Sequence, residues 1–126
     1  MRNLFTKLLG DKGERYAARY LKKQGFRIVA RNHKNQFGEI DLIATDGNQV
    51  VFVEVKTRKS DKFGAPVEAV NAAKQRKLTQ LAMAYLKKNK LLDRSARFDI
   101  VGIIWPEDAK KPTDVRHYRN AFDAVD

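Results

Sequence analysis

The sequence predicts a single α/β domain in which helices flank a mixed β-sheet, in the order α-β-β-β-α-β. Three observations carry this. Two segments, one near the start and one past the midpoint, space their apolar residues as a helix does. Between them, two short runs alternate apolar and polar residues on either side of "DGN". After the second helical segment, "RFDIVGIIW" is apolar on both faces, as a strand covered on both sides would be. With 126 residues, no repeat and no linker-like tract, one ordinary domain accounts for the chain.

Each element has its own signal. Residues Asp11–Gln24 are expected to be helical, with Ala17, Ala18 and Leu21 as the buried stripe and Gly25 at the C-terminal cap. Phe26–Arg31 follows as a strand. Glu39–Thr45 and Val50–Thr57 form the arms of a hairpin, and Ser60–Pro66 is a loop. Asn71 caps a long helix ending near Lys90, with a stripe of Leu78, Leu81, Ala82, Tyr85 and Leu86. Lys87, Lys88 and Lys90 suit the negative end of its dipole. Arg97–Trp105 is the buried strand, and Val115–Arg119 adds an edge strand.

Composition narrows the class of function. The absence of cysteine excludes disulfides, thiol nucleophiles and cysteine-ligated zinc. The two histidines, His33 and His117, are too far apart in the sequence to indicate a histidine zinc site. No apolar run approaches the roughly 18–20 residues that span a membrane, and "MRNLFTKLLG" lacks the pattern of a secretory signal. The expected location is cytoplasmic. Lys and Arg outnumber Asp and Glu by 26 to 15, for a net charge of +11. That excess favours a polyanionic partner. Nucleic acid is favoured over an anionic membrane because the charge is spread along the chain, with no polybasic tail beside an amphipathic anchor.

The hairpin raises the sharpest question, because Asp41, Glu54 and Lys56 interrupt its apolar runs. Gly47-Asn48 fits the centre of a type II′ turn. Opposed residues then have numbers summing to 95, which pairs Asp46 with Gln49, Asp41 with Glu54 and Glu39 with Lys56. A three-residue loop would break this register. In it, Asp41 and Glu54 share a face with Lys56, while Val51, Val53 and Val55 take the other. Two opposed carboxylates destabilise a sheet, whereas a hard divalent cation would bind both. The plainer account is a solvated face with Glu39 and Lys56 as a surface pair.

Glu14 falls on the stripe of Ala17, Ala18 and Leu21, so it is expected to face the sheet, where an acid needs a partner. The plainer account places it in a first turn, favoured by the helix dipole. Arg58, Lys74, Gln75 and His33 are candidate nucleic-acid contacts. For Lys74, Gln75 and His33 an ordinary solvated position is the simpler reading. No phosphate-binding glycine loop and no Ser-His-Asp pattern is present.

Asp41 followed by Glu54-Val55-Lys56 resembles the Asp…(Asp/Glu)-x-Lys signature of the restriction-endonuclease-like nuclease superfamily, and the element order matches that superfamily's core. An acid on the first helix, here Glu14, is similar to the arrangement in archaeal Holliday junction resolvases. Across nearly the whole chain, "GERYAARYL", "GEIDLIATDG", "VFVEVKTR", "FGAPVEAV", "RFDIV" and "NAF" resemble the YraN-like family of uncharacterised bacterial proteins. The resemblance implies a restriction-endonuclease-like fold and Mg²⁺ or Mn²⁺ held by Asp41, Glu54 and the Val55 carbonyl, with Glu14 completing the shell. It implies Lys56 as the catalytic lysine. The expected activity is metal-dependent endonucleolytic hydrolysis of DNA, branched or damaged DNA included. The alternative is a non-catalytic nucleic-acid-binding module on the same scaffold. Cleavage of a four-way junction would call for two sites, hence a homodimer.

Overall fold

The computed structural model of the chain describes residues 4–125. Helix α1 (Leu4–Lys23) leads into strands β1 (Arg27–Asn35), β2 (Gly38–Asp46) and β3 (Gln49–Arg58). A 3-10 turn at Pro66–Ala69 precedes helix α2 (Ala72–Lys88), then strands β4 (Ala96–Ile104) and β5 (Asp114–Phe122). The five strands form one sheet in the order β1-β2-β3-β4-β5. Neighbours are antiparallel except β3 and β4, which α2 connects as a parallel pair. The α/β prediction holds, with β5 as the added edge strand.

The helices cover opposite faces. Ala17, Ala18 and Leu21 of α1 pack with Leu42, Ala44, Val51, Val53, Val55, Val101 and Ile103. Leu78, Leu81, Ala82 and Leu86 of α2 pack with Ile43, Val50, Phe52, Phe98 and Ile100. Strand β3 feeds both cores by strict alternation, as its sequence foretells. Asn71 caps α2 as expected, its Oδ1 accepting the Lys74 amide at 3.0 Å.

Boundaries differ where the sequence signal is mixed. Helix α1 begins at Leu4 instead of Asp11, because Leu9 still packs on the core while Gly10 and Gly13, poor helix formers, hide the continuity. Glu14 is therefore mid-helix, and the account that put it in a first turn fails. The C-terminus ends as predicted: Gly25 has φ +96°, and the Phe26 amide donates to the Leu21 carbonyl at 3.0 Å. Strand β1 continues to Asn35 because it forms its own hairpin with β2.

The β2–β3 turn is the predicted one. Gly47 has φ +60° and Asn48 is not left-handed, as a type II′ turn requires. The register sums to 95 from Asp46↔Gln49 to Leu42↔Val53. There the regular ladder stops, so Glu39 and Lys56 are not a pair; Glu39 pairs with Lys34 on β1 instead. Alternation on β2 also fails at this point. Ile40 and Ile43 belong to the α2-side core, whereas Leu42 and Ala44 belong to the α1-side core. Asp41 is the residue that absorbs the extra half-step. The mirror position on β1, Asn32, takes a left-handed conformation at φ +51°. Asp41 accordingly does not share a flat face with Glu54, as strict alternation would have it. It lies in the fork where β2 leaves β3.

Candidate active site

The fork gathers the charged residues that the hairpin sequence singled out. Asp41 Oδ2 accepts the Val55 amide at 2.8 Å, replacing the ladder bond that a continuing β2 would supply. Because a strand residue points its N–H and C=O to the same neighbour in an antiparallel ladder, the Val55 carbonyl opens toward the same side. The Asp41 carboxyl also lies against the Glu54 side chain. Burial, then the charge of Glu54 and that contact, push Asp41 up to about 9 from an ordinary 3.8, although the Val55 amide pulls it down. Glu14 adds a smaller upward push, which places its charge within range of Asp41.

Glu54 is 4% exposed, yet it meets two cations. Its Oε2 lies 3.8 Å from Lys56 Nζ and 3.2 Å from Lys74 Nζ. Lys56 follows on the same strand face, as predicted. Lys74 arrives from the first turn of α2, on the opposite side of the cleft from α1. The lysines are about one-third exposed, so the cleft opens to solvent above a buried carboxylate.

Glu14 is half-buried at the edge of the α1 stripe, beside buried Gly13 and Ala17. Its Oε1 accepts a 2.6 Å hydrogen bond from Asn32 Nδ2, which also donates to Glu39 Oε1 at 2.9 Å. Asn32 was missed in the sequence. Its one signal is residue type, since Asn tolerates the left-handed region better than most. Gly13 lets α1 approach β3 closely: a Cβ at that position would overlap the Thr57 hydroxyl.

The donor set fits a small divalent cation in one respect and limits it in another. The two carboxyls, Asp41 and Glu54, disfavour each other's charge, and a cation between them would relieve their repulsion. Among the described residues, no three Asp, Glu, His or Cys side chains converge closely enough to hold a metal ion. Mg²⁺, however, commonly takes one or two carboxylates and keeps several waters, so a two-carboxylate set is not too small for it.

The other candidates are dispersed. Arg58 is exposed, and its carbonyl accepts the Trp105 amide at 2.7 Å. Gln75 Nε2 donates to the Val70 carbonyl at 3.1 Å, tying α2 to the turn before it. His33 packs edge-on against Tyr85, with ring centroids 5.1 Å apart.

A second buried acid lies on β4. Asp99 is 1% exposed and accepts from Arg97 at 2.9 and 3.2 Å and from the Asn120 amide at 2.9 Å, with His117 Nε2 at 2.8 Å. Arg97 reaches on to Asp46 and Gln49 beside the β2–β3 turn. Burial alone would raise the Asp99 carboxyl, but His117, Arg97 and the Asn120 amide outweigh it and hold it below the ordinary value.

A sequence profile described as uncharacterised protein family UPF0102 matches residues 13–103. That span takes in Glu14, Asp41, Glu54 and Lys56 and stops short of β5. A UPF0102 protein of Rhodopirellula baltica is 44% identical over 119 residues, covering 93% of this chain and 71% of its own length. One from Caldanaerobacter subterraneus subsp. tengcongensis is 43% identical over 122 residues, 97% and 100% of the two chains. Another from Geobacter sulfurreducens is 43% identical over 119 residues, 94% and 91%.

Proposed function

This chain belongs to the uncharacterised protein family UPF0102, and we propose that its Asp41–Glu54–Lys56 site hydrolyses phosphodiester bonds in DNA with Mg²⁺ or Mn²⁺ as cofactor. The observation that carries this reading is the fork itself. A sheet has no structural use for two touching carboxyls, one of them buried, with a lysine ammonium 3.8 Å from the buried one. The same residues are those that resemble the restriction-endonuclease-like signature, and the sheet between two helices suits that superfamily. Branched or damaged DNA is the proposed substrate class, from the resemblance of Glu14 to the helix acid of junction resolvases.

Asp41, Glu54 and the Val55 carbonyl would hold the cation. Once bound, it would supply Lewis acidity toward a phosphoryl oxygen and a water of lowered pKa. The chain's own residues do the rest. Asp41 is fixed by the Val55 amide, so one of its oxygens is already oriented. Lys56, on the strand beside Glu54, orients the attacking water or neutralises charge developing on the phosphoryl oxygens. Asn32 holds Glu14 at the edge of the fork, where it can accept a hydrogen bond from water. The excess of Lys and Arg binds the phosphate backbone without reading sequence.

The test is a panel of linear, nicked, flapped and four-way DNA, and matching RNA, in Mg²⁺, Mn²⁺ or EDTA. Wild type should nick DNA only with metal. Glu54→Ala should lose about a thousandfold or more, as expected when several kcal/mol of transition-state stabilisation are removed. Salt-sensitive binding without cleavage by wild type would leave a non-catalytic binding module. Identical products from both proteins would sink the enzyme reading. Sedimentation with a four-way junction reports whether the active species is a homodimer.

A further inference from the structure

We propose that Lys74 is a second catalytic lysine of this site, its ammonium resting on Glu54 and contacting a non-bridging oxygen of the scissile phosphodiester when substrate is bound. This inference rests on the phosphodiesterase reading above.

The first argument is position. Asn71 is the cap of α2 and Lys74 the third residue after it, its own amide held by the Asn71 side chain. A cation in the first turn of a helix opposes the dipole, where an acid would be favoured. The helix carries no acid there at all. Lys74 is offset by a partner outside the helix, Glu54, whose Oε2 it approaches to 3.2 Å, closer than the 3.8 Å of Lys56. The backbone of Lys74 is fixed by the cap, while its long side chain is about one-third exposed at the mouth of the cleft. The ammonium can therefore leave Glu54 without any movement of α2.

The second argument is charge. Two lysine ammoniums converge on the one buried carboxyl of Glu54, at 3.8 and 3.2 Å. A divalent cation held by Glu54 would compete with Lys74 for that carboxyl. Lys74 would then be released beside a cation and need an anion. A phosphodiester carries one negative charge, and hydroxide attack on phosphorus adds another in the transition state, before the bond to the leaving oxygen breaks. Lys56 stays with Glu54 and the water on the strand side, while Lys74 arrives from the helix side and meets the phosphoryl oxygens. Gln75 Nε2, bonded to the Val70 carbonyl, braces the same turn of α2.

Competition for Glu54 makes this testable without turnover. Mn²⁺ affinity would be measured on the full chain by isothermal titration and by electron paramagnetic resonance. Wild type, Lys74→Met, Lys74→Arg and Lys56→Met would be compared, with thermal melts to confirm that each is folded. Lys74→Met should bind Mn²⁺ about tenfold more tightly, since a competing cation is gone. The same variant should cleave DNA about a hundredfold more slowly, the usual scale for one transition-state donor, with kcat falling more than KM changes. Lys74→Arg should recover part of the rate. Unchanged or weaker Mn²⁺ binding by Lys74→Met, or unchanged cleavage, would overturn the proposal while leaving the phosphodiesterase reading intact. Failure of wild type itself to bind Mn²⁺ would overturn both.

Discussion

Asp41 and Asp99 lie in the same sheet, two strands apart, and both are pressed toward neutrality by burial. They end on opposite sides of the ordinary carboxylate value because of the company they keep. Asp99 is met by Arg97, His117 and a backbone amide, so each oxygen has donors. Asp41 has one amide and faces Glu54 and Glu14. The first arrangement locks β4 to β5 and needs nothing more. The second presses acids together with a single backbone donor for Asp41. One sheet thus holds one acid among donors and another among acids.

The strongest way to break this comparison is to delete each acid in turn. Asp99→Ala strips donors Arg97, His117 and the Asn120 amide of their shared acceptor while Arg97 keeps Asp46 and Gln49, and should cost about 2–3 kcal/mol. Asp41→Asn removes the cost of keeping a carboxyl protonated above its ordinary value and should leave stability without metal unchanged or improved, while abolishing cleavage. Urea unfolding followed by circular dichroism measures both. A mild effect of Asp99→Ala, matched by a severe one of Asp41→Asn, would reverse the assignment.

Proton linkage sharpens the contrast. Asp41 binds its proton more tightly folded than unfolded, so its contribution is fully present below pH 3.8 and is lost as pH rises toward about 9. Asp99 does the reverse: its contribution is present above the ordinary value and is lost as pH falls below 3.8 through the lowered folded value. Stability measured from pH 5 to 9 in EDTA should therefore decline in wild type and flatten in Asp41→Asn. Mg²⁺ should flatten the wild-type curve as well. An Asp41→Asn curve that parallels wild type would show that the slope originates elsewhere.

The smallest expected effect concerns Asn32. Asn32→Gly keeps the left-handed backbone but drops the hydrogen bonds to Glu14 and Glu39. It should change stability by no more than about 1 kcal/mol and slow cleavage by a few-fold, read in single-turnover assays. A null result in cleavage would mean that Glu14 needs no such support.

Much of this was legible in the sequence because it depends on local rules. Gly47-Asn48 set the turn, and the turn set the register as far as Leu42↔Val53, one step short of the expected Asp41–Glu54 pair. Alternation along Val51, Val53 and Val55 gave their common face correctly. The half-step at Asp41 was not legible, because it arises only where β1, β2 and β3 must bend together, opposite a left-handed Asn32. The meeting of Lys74 with Glu54 was hidden for a similar reason: it depends on where α2 lands on the sheet, which spacing within α2 does not reveal. Strand β5 extended past Arg119 because the Asn120 amide bonds Asp99, a contact between residues far apart in the chain.

The contact between Gly13 and Thr57 gives the helix a mechanical role. A hydroxyl with no hydrogen-bond partner among the described residues is seated where α1 has no side chain. Such a fit works as a locating pin, fixing how far α1 can slide or roll on β3. Glu14, the next residue along, inherits that precision. Its reach toward the fork is set by the thickness of a bare peptide, so a single added methyl group at position 13 would retract the acid by lifting the whole helix from the sheet.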